Sequence, residues 1–459
     1  MKTDKTDKKQ GIAPSWFKSR MSVVIVWTLR IIVGGVFIVS GLAKAIDLWG
    51  VVFKFEEYFT VWGWDVPMPL TVLAAMALTS LEFLLGCLLA LGCFRRTVTW
   101  ALTGVMCFML PLTLYVWLKS PVPDCGCFGD FLVISNGATF AKNIFLTAAI
   151  LFLVFANKHV KYIYHPYSQW ICGVSCLVFV TMVELYGFNV QPMVDFRSVP
   201  EGTLLIENDD TTDSGDEESD VDFLFIYSKN GVEKEFTTDS LPDSTWTFVD
   251  RKLADGNGAV SVNEHATLAI YDSDNEDVTA DVLTGAGLEM MVIVPQHKRA
   301  DMYYTSFTNE LDALMNSIGG ALVELTDVQP DSIEHLQDDT MAEFPIYSVE
   351  STTLKELSRG LVSVILLKDG VIQWKRNMGS IDVEALVSSP IPITALQALK
   401  PQGTAILAKW SEVLIAILAG LLIVDKLTIW IIKRRKNGKP ENKSLNLQKE
   451  SPQKLDANK

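Results

Sequence analysis

Residues 23–45 read VVIVWTLRIIVGGVFIVSGLAKA, an apolar run in which Arg30 and Lys44 are the charged side chains. A helix needs about 20 mostly apolar residues to cross a hydrocarbon core about 30 Å thick. Lipid offers the backbone no hydrogen-bond partners, so such a run must be helical. The stretch therefore predicts a membrane-spanning helix. Ala43-Lys44-Ala45 has the small residues of a signal-peptidase site, but the length of the run and Arg30 argue against cleavage.

Further apolar runs divide the chain into a membrane part and a soluble part. The runs lie at 68–92, 97–118, 138–156, 169–188 and 410–432. Residues 195–405 have the composition of a soluble domain and hold most of the net charge of −15. Because a polyanion would be repelled, this charge argues against nucleic acid as a partner. The lipid bilayer is the partner that the apolar runs imply.

Basic residues mark the cytoplasmic ends of membrane helices. They stand before the first run, between the second and third, between the fourth and fifth, and after the sixth: Lys2, Lys5, Lys8, Lys9, Lys18, Arg20, Arg95, Arg96, Lys158, Lys161, Lys433, Arg434, Arg435 and Lys436. Six crossings place all four groups on one side. We therefore predict a six-pass protein with both termini cytoplasmic and residues 195–405 outside. The aromatic-rich segment 46–67 is predicted to be an amphipathic helix at the outer membrane surface.

The sequence Cys125-Gly126-Cys127 lies in the predicted outer loop between the third and fourth runs. Thiol exchange needs two sulfurs within reach, and a strained disulfide between such close cysteines would be labile. Cys125 and Cys127 are therefore a candidate redox pair. The alternatives are a static disulfide, two buried thiols, or, more weakly, a zinc half-site that lacks a second Cys or His pair.

The charges around this pair argue against a reactive thiolate. Asp124 and Asp130 flank the cysteines, Lys119 is the local cation, and negative charge raises a thiol pKa. The other cysteines are predicted to pack as small buried residues. They are Cys87, Cys93, Cys107, Cys172 and Cys176.

Three further charged residues lie deep in the apolar runs. Glu82, near the middle of the second run, is a candidate proton or quinone-linked site, or a polar contact between helices. Lys44, at the outer end of the first run, is a weaker candidate; a contact with Glu82 is possible but spans about 10–15 Å in depth at the helical rise per residue. In the sixth run, Asp425 and Lys426 cannot face each other and are each expected to find another partner, or to snorkel.

The soluble part contains two strand-rich patterns. Strands at 222–228, 244–250 and 266–272 predict a small β-rich subdomain. Strands at 289–294, 321–326, 344–349, 361–367 and 371–376 alternate with helices at 300–318, 330–341 and 352–359, which predicts a mostly parallel sheet between helices. Residues 207–222 hold nine acidic residues and read as a solvated loop; calcium binding is the alternative, although EF-hand spacing is missing.

Three motifs in order carry a family resemblance: SGLAKAID at 40–47, LEFLLG at 81–86 and DCGCFGD at 124–130. Residues 21–157 with these motifs resemble the DoxX family, and more narrowly its redox-associated, MauE-like branch. The stretch PMVDFR at 192–197, with the domain after it, is similar to the longer DoxX proteins of Bacteroidota. The resemblance implies a four-helix bundle in the bacterial inner membrane, a periplasmic large domain, and thiol redox chemistry of the cell envelope.

The strand order from 289 to 376 resembles the thioredoxin-like fold. Phe344-Pro345 and the turn Leu367-Lys368-Asp369-Gly370 support the resemblance. Residues 295–299 read PQHKR where a thioredoxin has Cys-x-x-Cys, and no proline stands near 359–361. Without a thiolate the domain has no nucleophile for exchange. The resemblance therefore implies a redox-inactive domain that binds a periplasmic or membrane protein partner.

The predicted fold is an all-α membrane bundle with two further transmembrane helices and an α/β soluble domain with an extra β subdomain. The predicted segments are 1–20, 21–157, 158–194, 195–285, 286–405, 406–433 and a disordered tail at 434–459. The leading functional hypothesis is a redox-associated membrane protein, with a non-enzymatic scaffold or assembly factor as the alternative. A small-molecule carrier is a third possibility, but no inverted repeat is visible. No metal or cofactor is evident, and a quinone is compatible but unsupported.

Overall fold

The fold is taken from a computed structural model. It describes residues 20–122, 125–156, 163–197, 199–205, 223–229, 232–237, 247–253, 268–283, 286–300 and 303–437. The acidic segment 207–222, Asp124, Lys158, Lys161 and the predicted cytoplasmic ends 1–19 and 438–459 lie outside these ranges. The chain forms two compact units, Met1–Asp195 with Pro401–Lys459, and Phe196–Lys400.

The first unit is helical. Its helices are α1 (Arg20–Ile46), α2 (Leu48–Trp62), α3 (Met68–Leu91), α4 (Arg95–Lys119), α5 (Asn136–Phe155), α6 (Gln169–Asn189) and, after the second unit, α13 (Gly403–Asn437). Among the described residues, six helices are long and apolar enough to cross a membrane: α1, α3, α4, α5, α6 and α13. The six predicted spans are confirmed in number and place. Which end of each span is cytoplasmic stays a prediction.

The segment predicted to be an amphipathic helix forms α2. The Asp47 carboxylate accepts a hydrogen bond from the Gly50 N–H at 3.0 Å and caps its start. Gly63, at φ 69°, ends it in the left-handed conformation that favours glycine. α2 buries one face, and the Trp49 indole donates to the Phe188 carbonyl at 3.0 Å. The contact between Trp49 and Phe188 fixes α2 against α6.

Helices α1 and α3 pack with their backbones almost touching. A Cβ on Gly41 would lie 2.4 Å from the Phe83 backbone nitrogen, and one on Gly86 would lie 2.7 Å from that of Ile38. Small residues at helix interfaces allow this approach, which is typical of membrane bundles. The buried Arg30 donates to the Leu89 carbonyl at 2.7 Å and to the Ala90 carbonyl at 2.7 Å. These contacts satisfy carbonyls that the end of α3 leaves open.

Gly41→Val is expected to force α1 and α3 apart, because the new side chain would clash with backbone atoms of Phe83, and backbone atoms cannot move aside by a rotamer change. Overpacking of this kind costs about 1–3 kcal/mol and sometimes more. The measurement is the unfolding free energy of the full chain in mixed detergent micelles. Gly35→Val on the same helix is the control, since a Cβ at Gly35 meets nothing within 4 Å. Equal loss of stability in both variants would contradict the close α1–α3 contact.

The second unit contains two sheets. A three-stranded antiparallel sheet has the order β2-β1-β3, with β1 at Phe223–Lys229, β2 at Val232–Thr237 and β3 at Thr247–Leu253. The predictions at 222–228 and 244–250 correspond to β1 and β3. The strand predicted at 266–272 is wrong, because residues 268–272 contribute an isolated bridge at Tyr271. The edge strand β2 was missed in the sequence, since the charged residues Glu233-Lys234-Glu235 interrupt any apolar run in it.

The larger sheet has five strands in the order β6-β5-β4-β7-β8. The strands are β4 (Leu288–Val294), β5 (Ala321–Thr326), β6 (Ile346–Ser348), β7 (Ser363–Lys368) and β8 (Val371–Asn377). The helices of this unit are α7 (Thr279–Val282), α8 (Tyr304–Ser317), α9 (Ile333–Thr340), α10 (Ser351–Leu357), α11 (Val383–Val387) and α12 (Pro392–Ala398). Apolar clusters cover both faces of the sheet.

The prediction of a mostly parallel sheet is wrong. β4 pairs in parallel with β5, and β5 with β6, but β7 runs antiparallel to both β4 and β8. The two-residue turn Asp369-Gly370, with both residues at positive φ, forces β8 to return along β7. The buried strands are apolar in either direction, so hydrophobic pattern does not distinguish the two pairings. The sheet is therefore mixed.

Glu324 is a buried carboxyl in the middle of this sheet. Tyr304 donates to its Oε1 at 2.9 Å, and Oε2 has no hydrogen-bond partner among the described residues. Burial raises the pKa of Glu324 to about 7. The hydrogen bond from Tyr304 lowers this pKa, but its effect is smaller than that of burial. The folded unit therefore holds a proton that the unfolded chain releases near its ordinary value of 4.5. The contribution of Glu324 to the free energy of unfolding is fully present below about pH 4.5 and is lost as pH rises through 7.

Glu324→Gln is expected to stabilise the second unit above pH 7 and to change little at pH 5. The free energy at stake is about 3 kcal/mol as an upper limit. Hydrogen exchange of the β5 peptide in the full chain measures it, with variant and wild type compared at each pH. The variant should exchange at least tenfold more slowly at pH 8. The exposed Glu334→Gln is the control, and a difference between Glu324→Gln and wild type that does not depend on pH would refute this prediction.

Candidate functional site

The loop between α4 and α5 brings two sulfurs together. The Sγ atoms of Cys125 and Cys127 are 3.2 Å apart, as two thiols in contact. Gly126 between them has φ 65°, and a Cβ there would lie 3.1 Å from Cγ of Lys54 in α2. A side chain at this position would be strained in the left-handed region and crowded by Lys54. Gly126 therefore allows the turn that places both cysteines against the bundle.

A buried ion pair lies directly beneath this loop. Lys44 Nζ donates to Glu82 Oε2 at 2.7 Å and to Oε1 at 2.9 Å, and both side chains are almost completely buried. The predicted depth difference of 10–15 Å between these residues is wrong. α3 begins beyond the C-terminal end of α1, as the contact of Gly41 with Phe83 shows, so Glu82 lies close to the level of Gly41, about one helical turn from Lys44. The sequence spacing could not give this offset.

Ser40 connects the ion pair to the cysteine loop. Its Oγ lies 2.6 Å from the Cys127 carbonyl oxygen and 2.9 Å from Glu82 Oε2. A hydroxyl has one proton, so Ser40 can donate fully to only one of these two acceptors. The position of the Cys127 backbone is thereby coupled to the Glu82 side chain through Ser40. Sequence reasoning missed Ser40, although it stands one helical turn before Lys44 in the quoted motif.

The two thiols are electrostatically unequal. A hydrogen bond from Cys125 lowers the pKa of Cys127 to about 6, with help from the Lys142 and Lys44 cations and against its burial and Glu82. The same contact, with burial, raises the pKa of Cys125. Asp130 is not among the groups that shift the pKa of Cys127, and Asp124 lies outside the described residues, so the expectation that flanking acids suppress a reactive thiolate stays a prediction. Lys142, whose Nζ lies 4.3 Å from the centre of the Phe128 ring, was missed because it is in the next helix.

A cavity of about 270 Å³ opens beside the sulfur pair. Aromatic side chains of α2 and α4 form much of its wall, and its polar lining residues are Lys44, Lys54, Asp130 and both cysteines. The aromatic residues are Phe55, Tyr58, Phe59, Trp62 and Phe108. A second cavity of about 30 Å³, on the Glu82 and Lys142 side, shares Lys44 and Cys127 with it. Cys127 therefore lines both cavities, and the smaller one also contains Glu82 and Lys142.

The remaining predicted positions are also placed. Asp425 in α13 accepts hydrogen bonds from the His165 N–H and from Ser168 Oγ, so the prediction that it finds a partner is confirmed. Lys426 is exposed. Cys107 is exposed, so the prediction that it is buried is wrong, whereas Cys87, Cys93, Cys172 and Cys176 are buried. Among the described residues, no group of three or more His, Cys, Asp or Glu side chains could hold a metal ion.

Comparison with known families supports the membrane part of this description. Residues 22–156 match the family model of methylamine utilisation protein MauE. The matched range contains α1 to α5 and the whole cysteine site. Residues 221–254, around β1 to β3, match a domain of unknown function (DUF8463). No curated protein matches the chain. The first part of the chain is thus a MauE-like membrane domain, followed by a mixed-sheet domain.

Proposed function

We propose that this chain is a thiol–disulfide redox protein of the bacterial inner membrane, with Cys125 and Cys127 as its exchanging pair on the periplasmic side. The observation that carries the proposal is the 3.2 Å contact between two thiols whose backbone is held by the buried Ser40–Glu82–Lys44 group. A pair kept only for packing would have no need of a buried ion pair, whose desolvation is costly. A catalytic pair would react faster if its geometry were fixed and a cation lay nearby.

The unequal thiols suggest the direction of exchange. In disulfide exchange the sulfur with the lower pKa leaves faster. A partner's thiolate would therefore attack Cys125 Sγ, break the Cys125–Cys127 bond and release Cys127 as thiolate beside Lys44 and Lys142. A second partner thiolate then attacks the mixed disulfide, so the partner gains a disulfide and Cys125 leaves as a thiol. The partner loses two electrons and two protons; the cysteine pair takes both electrons, Cys125 takes one proton, and the other proton passes to water while Cys127 stays a thiolate.

We infer that a lipid-soluble quinone accepts these electrons in the aromatic cavity. A flat apolar ring fits walls made by Phe55, Phe59 and Phe108, and the chamber ends at both sulfurs and Lys44. A quinone supplies a two-electron, two-proton acceptor, which restores the disulfide and balances the cycle. Lys44 and the Ser40–Glu82 contact lie where protons leave the thiols.

The cavity assignment has a matched pair of test variants. Phe108 lines the cavity from α4, and Phe145 on α5 does not; both are more than half exposed, so neither truncation empties a core. Phe108→Ala should raise the KM for a fully substituted quinone about two- to tenfold, the loss of one aromatic contact. Phe145→Ala should leave it unchanged. Equal KM values in both variants would contradict quinone binding in this cavity and would leave the proposal of thiol exchange unaffected.

The domain at Phe196–Lys400 is proposed to bind the partner protein. The order β5-β4-β7-β8, with one parallel and two antiparallel pairings, supports the thioredoxin-like resemblance. Its sequence contains no cysteine, so exchange is assigned to the membrane loop. A role in recruiting a substrate with oxidisable thiols is consistent with this division.

The redox proposal is tested by trapping thiols in intact cells with a mass-shift alkylating reagent. Cys125 and Cys127 are expected to change between thiol and disulfide when the respiratory chain is blocked or released. Serine replacements at either position should stop this change and abolish partner oxidation, whereas Cys107→Ser should be silent. If the pair never changes state and the serine variants are silent, while a stoichiometric partner still co-purifies, the scaffold hypothesis is supported instead.

A further inference from the structure

The contact between α3 and α6 sets four other cysteines face to face. The Phe94 N–H donates to Gln169 Oε1 at 2.8 Å at one end of this contact. In the middle, the Phe83 and Phe179 rings lie 5.6 Å apart. Residue numbers fall along α6 as they rise along α3, so the two helices are antiparallel in a fixed register.

The other end of the contact is polar. Ser80 Oγ lies 2.8 Å from Glu184 Oε1, and Thr79 also donates to this carboxylate. Glu184 is a buried acid of the fifth span that sequence reasoning missed. Both ends of the α3–α6 contact are thus held by hydrogen bonds, which leaves the cysteines between them little freedom to slide past one another.

In this register, Cys87 faces Cys176 and Cys93 faces Cys172. The thiols of each pair interact across the two helices, and all four side chains are buried. Cys172 and Cys176 are one helical turn apart, about 6 Å along the axis. Six of the seven cysteines are therefore paired in space, and Cys107 is the exposed exception.

We infer that the α3–α6 contact is a second dithiol site, which forms the interhelical disulfides Cys87–Cys176 and Cys93–Cys172. In each, two S–H bonds break and one S–S bond forms, and two electrons and two protons pass to the oxidant. The oxidant is a lipid-soluble quinone, which becomes a quinol, because the thiols are buried within the spans or, for Cys93, two residues beyond the end of one, where polar disulfides do not penetrate. Oxidation ties α3, which carries Glu82, covalently to α6.

The test uses the full chain in membrane vesicles with Cys125→Ser and Cys127→Ser in place, so that it does not depend on the proposed periplasmic pair. A fully substituted quinone is added, and the denatured chain is then alkylated and weighed. The reduced chain has five cysteines to alkylate, seven less the two replaced. The oxidised chain should take one alkyl group, on Cys107. Digestion should yield peptides that join Cys87 to Cys176 and Cys93 to Cys172.

Two variants sharpen the result. Cys87→Ala should remove only the Cys87–Cys176 link and keep the Cys93–Cys172 link, and Cys107→Ala should keep both. Because the links are first measured with α3 and α6 unaltered, a folding defect in a variant does not obscure the answer. Five alkylated cysteines after quinone treatment would overturn the inference, as would links that involve Cys107 or links that form with a strong oxidant such as copper phenanthroline and not with the quinone.

Discussion

Cys127 is expected to be alkylated with a midpoint near pH 6, and Cys125→Ala is expected to move that midpoint toward the ordinary thiol value. The Cys125 thiol is the main cause of the lowered pKa of Cys127, ahead of the Lys142 and Lys44 cations. At pH 7 a thiol of pKa 6 is about 90% thiolate, against about 3% for one near 8.5. The thiolate fraction of Cys127 at pH 7 should therefore fall by up to about thirtyfold in Cys125→Ala. The fall is smaller to the extent that Lys142 and Lys44 still lower the pKa of Cys127.

The measurement is the alkylation rate of Cys127 against pH, by peptide mass spectrometry of the full chain. Cys125→Ser is the matched control, because a serine hydroxyl can still donate to the Cys127 thiolate and should keep the midpoint low. Wild type, in its reduced form, should alkylate Cys127 well before Cys125, whose pKa is raised. The same midpoint in Cys125→Ala as in wild type would show that the thiol contact does not activate Cys127.

Lys44→Met is expected to destabilise the membrane unit by about 3–5 kcal/mol, because it leaves Glu82 buried without its cation. Glu82→Leu should be costly for the same reason. The double variant should recover most of the lost stability, since two apolar side chains can replace a buried ion pair at little cost. The unfolding free energies of the four proteins in mixed micelles form a double-mutant cycle.

Lys54→Met provides the control for this cycle. Lys54 pairs with Glu57 at 2.8 Å, but both side chains are partly exposed. Exposed pairs contribute about 0–1 kcal/mol, so this variant should change little. The double Lys44–Glu82 variant should regain its stability and still exchange thiols slowly, because Ser40 no longer has Glu82 as a partner. A cycle with no coupling energy would mean that Lys44 and Glu82 are not paired in the protein.

The chemical residues of the site could be predicted from the sequence, but their arrangement could not. Cys125 and Cys127 are neighbours in the chain, and Glu82 is conspicuous as a charge within an apolar run. Lys142 and Ser40 carry no such signal, since a lysine near the start of a span and a serine in a helix are ordinary. Their importance comes from helix packing, which brings four separate segments to one point.

The soluble unit shows the same division. The strands from 289 to 376 were found where the structure has them because buried strands are short apolar runs bounded by turns. The Asp369-Gly370 turn predicts the β7–β8 hairpin, which is confirmed, but the antiparallel pairing of β7 with β4 was not predicted, since hydrophobic content is the same for parallel and antiparallel neighbours. The strand β2 was missed because its charged residues give no such run.

Two features follow from sequence alone: six helices can cross a membrane, and a large acidic domain stands between the last two. Length and hydropathy suffice for this, because the bilayer imposes its thickness on every span. Tertiary structure decided which charges meet, which thiol is acidic and which cysteines pair. These properties depend on helix register and depth, which the glycine contacts of α1 and α3 set to within a residue, and a hydropathy profile contains no such information.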